Sequence, residues 1–168
     1  MHPGGRTKKI PITMEMKDTT KGLRNLAELL MDSRKGYQEA ADRAEAPHLK
    51  QLLMKLSNGR TPLITEVESQ LRMLGEDDMP KDGTLKGDLH RAWIDIRDSL
   101  SGSDNATVLA ECERGEKYLL ERYDELINDS EMAESVKSML NKQRTQVQSN
   151  INEVQALHAT HEASEKNK

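Results

Sequence analysis

From Leu23 to Val154 the apolar residues recur three and four apart, in runs too long for anything but extended helices. Leu23, Leu26, Leu30, Tyr37, Ala41 and Ala44 form one stripe. Leu49, Leu52, Leu53, Leu56, Arg60, Leu63, Val67 and Leu74 form a second, Val108, Leu109, Cys112, Leu119, Tyr123, Leu126 and Ile127 a third, and Val136, Leu140, Val147, Ile151 and Val154 a fourth. Each stripe covers one side of a helix and leaves a wide polar face, which fits 35% hydrophobic and 32% charged residues. With no Phe and only four other aromatic residues, Leu and the nine Met must fill the core.

The breaks between stripes set the organisation. The first helix is predicted to start after Asp18-Thr19-Thr20 and to run to about Glu45, where Pro47 stops it and opens the second. The second is predicted over Pro47–Leu74. Asn58-Gly59 and Thr61-Pro62 read locally as a stop and a start, yet positions 56, 60, 63 and 67 keep phase across them, which predicts one helix kinked near Pro62. Gly75–Gly83 is a loop, followed by a shorter helix over about Thr84–Leu100 with apolar residues on more than one side. A third long helix is predicted over 105–128 and a fourth over 131–160, with a polar tail at 161–168. Two long hairpins joined by a long connection that carries a short crossover helix is the layout of ferritin-like bundles. An all-α, ferritin-like four-helix bundle over 18–160 is therefore the expected fold.

Residues 1–17 read as an arm, either disordered or extended, because Ile10, Ile12, Met14 and Met16 alternate with other residues. Laid on a neighbouring copy, such an arm would produce a homodimer. The net charge of −4 supplies no basic field for nucleic acid or anionic lipid. Trp93 between Arg91 and Arg97 does not change that reading. No run approaches the roughly 20 apolar residues of a membrane span. A single cysteine, Cys112, and the lack of a signal-like apolar run at the start make the cytoplasm the expected compartment.

Five strings carry a family resemblance: GYQEAA at 36–41, Arg60, Leu63 and Glu66 in RxxLxxE, RMLG at 72–75, LHRAWID at 89–95 and ECERGEKY at 111–118. In this order and spacing the chain resembles an uncharacterised bacterial family of ferritin-like four-helix-bundle proteins. The resemblance runs from about Leu23 to Ile127 and more weakly beyond. It implies the fold but no activity; some relatives of this bundle type imply a link to stress. Some similar sequences carry a histidine where this chain has Ile151.

A di-metal centre in such a bundle needs one Glu from each of two helices and Glu-x-x-His from each of the others. Here the lone Glu-x-x-His, Glu45 to His48, straddles Pro47. Glu116 falls inside the third stripe, Glu113 on its margin, and Glu66 beside the second stripe; these three are the candidate metal ligands, for iron or another divalent ion. Glu39 faces away. Ser33 and Arg34 on the first helix, and Gln143 and Asn150 on the fourth, lean inward without supplying negative charge. A buried polar network of Arg34, Tyr37, Arg60 and Glu116, in which an arginine neutralises Glu116, is the reading preferred over metal. The expectation is then a protein that holds no cofactor and works by association, not catalysis. A carboxylate-bridged protein handling iron or peroxide is the alternative. Cys112 reads as a buried, inert thiol, His90 as a packing residue, and His158 with His161 as at most a weak metal pair.

Overall fold

The computed structural model describes residues 12–81, 94–98 and 104–166. Four long helices make up most of it: α1 (Ile12–Arg43), α2 (Pro47–Met73), α3 (Asn105–Ile127) and α4 (Glu134–Lys166), with a short helical stretch at 94–98 between α2 and α3. No strand occurs among the described residues. The crossover helix predicted over Thr84–Leu100, His90 and Trp93 included, otherwise lies outside them.

Local chemistry sets the ends. Pro47 occupies the first turn of α2, where its missing N–H is no loss. Lys50 Nζ donates to the Ala41 carbonyl at 2.9 Å, serving a terminal acceptor of α1. At the other end of α2, Gly75 takes φ 90°, and the N–H groups of Gly75 and Glu76 donate to the carbonyls of Arg72 and Leu71, both at 3.0 Å. This left-handed cap is open to glycine and strained for other residues. Asp104 caps α3, its carboxylate accepting from the Thr107 N–H at 3.1 Å.

α1 packs along α2, and α3 along α4. The hairpins face each other through α1–α3 and α2–α4. Both facing pairs are antiparallel: Gly22 meets Leu126 while Tyr37 meets Glu116, and Lys55 meets Glu153 while the Leu63 carbonyl meets Gln143. α3 therefore begins at the end of the molecule opposite to the end of α2, and the connection from 74 to 104 spans about the length of α3, roughly 35 Å. Ile96 lies buried at the far end, against the Val108 region.

The apolar interior has two parts. One, at the α2–α3 terminal end, is built on Leu23, Leu30, Val67, Leu71, Leu140 and Val147. The other, around Ala40, Ala41, Leu53, Val108, Leu109 and Val154, is richer in alanine.

α2 runs unbroken through Pro62, as its phase predicted. Pro62 is exposed, so its ring burdens the solvent side and leaves the stripe intact. Two expectations are corrected. Residues 12–16 are helical and not extended. The period-two reading missed that Ile12, Met16, Thr19 and Leu23 also fall at helical spacing, and that extending a formed helix is cheap for Met, Glu and Lys. Residues 1–11 lie outside the described part. α4 continues to Lys166, past the tail expected from His161, because HEASEK consists mainly of residues compatible with helix. α4 also starts at Glu134, after a turn in which Asp129 accepts from the Glu131 N–H at 2.9 Å.

Candidate functional site

Arg60 occupies a core position of α2 between Leu56 and Leu63, with no exposed surface at all. A guanidinium there requires a counter-charge. Glu116, 1% exposed on α3, supplies it: Arg60 Nη2 donates to Glu116 Oε2 in a buried ion pair. Tyr37 of α1 donates its hydroxyl to the same oxygen at 2.6 Å. Asn150 of α4 reaches the other carboxylate oxygen at 3.4 Å, and its own carbonyl accepts from Gln146 at 3.2 Å. Arg60 Nε donates to Ser33 Oγ at 2.9 Å, and the guanidinium lies over the Tyr37 ring, 5.5 Å from its centre. All four helices thus contribute to one polar layer. One atom of it is left over: Arg60 Nη1 is buried and has no hydrogen-bond partner among the described residues.

The electrostatics follow from burial. Burial is the largest influence on Arg60 and would lower its pKa, but Glu116 and the two tyrosines outweigh it, and the guanidinium is held above its ordinary value. Burial first, then the Glu116 charge, pushes the Tyr37 hydroxyl well up, so it stays a neutral donor. Cys112, one turn before Glu116 and fully buried, is pushed up by burial and by Glu116 and Glu111; a thiol in that state is a poor nucleophile.

About two turns further along α2 lies a second layer without a buried charge. Tyr123 donates to Gln143 Oε1 at 2.6 Å; Gln143 Nε2 donates to the Leu63 carbonyl at 3.2 Å and to Glu66 Oε1 at 2.9 Å. Tyr123 and Gln143 are buried, while Glu66 reaches solvent.

Of the residues singled out in the sequence, Tyr37, Arg60 and Glu116 come together. Arg34 does not join them: its guanidinium turns to the surface and donates to Thr61 Oγ1 at 3.3 Å, while its main-chain carbonyl accepts from Ser57 at 2.8 Å. Arg34 is one residue, about 100° of helix, past Ser33, and that rotation carries its head group out of the core. Glu66, Glu113 and Glu116 do not converge. Glu113 pairs with Lys117 at 2.7 Å and accepts from Gln155 at 3.0 Å, bonds that hold its carboxyl below the usual range. Among the described residues no group of three or more His, Cys, Asp and Glu side chains could hold a metal ion. Glu45 and His48 are both exposed. His158 lies 3.3 Å from Glu162, its neighbour one turn on. Sequence reasoning missed Ser33 as the acceptor for Arg60 and the polar role of Tyr123, although a tyrosine in an apolar stripe opposite an inward glutamine signals one.

Residues 18–129, two thirds of the chain, match the sequence family described as a domain of unknown function, DUF2383. The chain belongs to that family. The match includes Ser33, Tyr37, Arg60 and Glu116 and ends before α4, which supplies Gln143 and Asn150. No curated protein matches the chain. No helix among the described residues is long and apolar enough to cross a membrane.

Proposed function

We propose that this protein is a ferritin-like four-helix bundle that acts by association with a macromolecular partner or a second copy of itself, without catalysing a reaction. The observation that carries this reading is the position of Arg60. Di-metal proteins of this layout bring carboxylates and histidines to the middle of the bundle, where two cations balance them. Here the carboxylate at that level is balanced by a guanidinium from the same chain, bonded to it directly. The antiparallel pairing of α1 with α3 and α2 with α4, and the connection running the length of α3, support the ferritin-like layout. Tyr37, Arg60, Cys112 and Tyr123, the core groups with shifted acidity, are each at most 2% exposed, and burial of that degree supports a role in holding the helices in register.

Metal analysis and aerobic Fe(II) titration of protein purified without chelator test this reading. We expect substoichiometric metal and no saturable oxidation of Fe(II). About two irons per chain, with loss of iron on Glu116→Gln substitution, would overturn it in favour of a carboxylate-bridged metal protein.

A further inference from the structure

The charged layer coincides with local weakness in three of the helices that build it. Gly36 precedes Tyr37 in α1, Gly59 precedes Arg60 in α2, and Gly115 precedes Glu116 in α3. At Gly59 and Gly115 no packing demand from the described residues explains the glycine, since a Cβ built at either would touch none of them within 4 Å. Relative to alanine, a glycine inside a helix lowers the local helix equilibrium about fourfold to fivefold. Pro62, two residues after Arg60, removes a further hydrogen bond, the one to the Asn58 carbonyl. The layer itself offers little compensation. A buried ion pair gains little over apolar packing, and Arg60 Nη1 is desolvated without a partner among the described residues. On either side lie the two apolar clusters, each drawing on all four helices.

We propose that this layer is a weak plane across the molecule, at which the helices open locally and admit water and small polar solutes to Arg60 and Glu116 while the two apolar clusters stay packed. Middle residues of long helices are ordinarily the best protected from exchange and the ends the least. The proposal reverses that order. It rests on the glycines, Pro62 and the Arg60–Glu116 pair, and not on whether the protein acts by association.

Native-state hydrogen exchange on the full chain tests it. Amides at 36–38, 58–61 and 115–117 are expected to exchange at least about tenfold faster than those at 27–31, 52–56 and 64–67, and with a weaker dependence on added denaturant. In Gly59→Ala and Gly115→Ala the exchange at the layer slows, by about fourfold to fivefold on the substituted helix. Layer amides as protected as the flanking ones and sharing their denaturant dependence would overturn the proposal.

Discussion

The two polar layers solve the same problem in different ways. At the level of Glu116 the carboxylate is sealed, and it is accompanied by an arginine, a tyrosine and an asparagine. At the level of Glu66 the carboxylate stays in solvent, and only neutral groups, the Tyr123 phenol and the Gln143 amide, enter the core. The difference lies in what must be desolvated. A neutral hydrogen-bonded pair can be buried at small net cost, whereas a buried charge needs a charge of opposite sign and a nearly full set of hydrogen bonds. The first layer therefore recruits all four helices, and the second draws on α2, α3 and α4. The charged layer fixes which helices meet; the neutral one fastens helices that apolar packing already holds.

The largest effect that would sharpen this comparison comes from Glu116→Gln. The change keeps the shape but strands Arg60 as an unpaired buried cation, and urea unfolding should show a loss of about 3–5 kcal/mol. Removing both charges, in Arg60→Met with Glu116→Leu, should return most of that stability, since well-packed apolar replacements of buried pairs are often neutral or better. A double variant as unstable as Glu116→Gln would mean that the layer stabilises through more than mutual neutralisation.

Alkaline pH probes both layers at once. Tyr37 and Tyr123 are raised, each chiefly by burial, and the unfolded chain should lose its phenolic protons near pH 10. A group with a raised folded pKa contributes stability that is intact below the unfolded value and declines as pH rises above it. Above pH 10 each tyrosine should therefore remove about 1.4 kcal/mol per pH unit, and Cys112, also raised by burial, adds the same slope from about pH 8.5. Urea midpoints from pH 7 to 11 for the parent, Tyr37→Phe and Tyr123→Phe check this. If Tyr123→Phe removed none of the alkaline slope, Tyr123 would not be the buried neutral donor described here.

The third effect belongs to the neutral layer. Gln143→Leu leaves the Tyr123 hydroxyl buried without its acceptor, and a loss of about 1–2 kcal/mol is expected in the same unfolding assay. That is well below the cost of unpairing Arg60. A loss as large as that of Glu116→Gln would erase the distinction between the layers.

Periodicity made most of this architecture legible. Arg60 and Glu116 sit in phase with leucines on both sides, so their inward positions could be read before any contact was known. The continuity of α2 through Pro62 came from the same phase. What phase does not carry is the choice between neighbours one residue apart. Ser33 and Arg34 both lean inward on a helical wheel, and only the rotation of α1 against α2 decides that the serine meets Arg60 while Arg34 meets Thr61. Nor does it decide where a long side chain on a stripe margin swings: Glu113 finds Lys117 one turn away before it can meet Glu116. At residues 12–16 the sequence supports two periods together, and the short segment alone does not say which prevails.

The smallest expected effect is the most discriminating between the layers. Glu66→Gln changes charge without changing shape, as Glu116→Gln does, and touches the one carboxylate of the second layer. Glu66 is solvated, and its bond from Gln143 can be made to an amide oxygen as well as to a carboxylate. The buried part of the layer, Tyr123 to Gln143 to the Leu63 carbonyl, stays intact in the variant. The change in unfolding free energy should therefore stay within about 0.5 kcal/mol, the usual range for a surface substitution. Because Gln143 has two other partners, crossing Glu66→Gln with Gln143→Leu should give a coupling energy below about 0.5 kcal/mol. A coupling several times larger would show that the Glu66 charge reaches into the core through Gln143, and that the second layer is built on charge like the first.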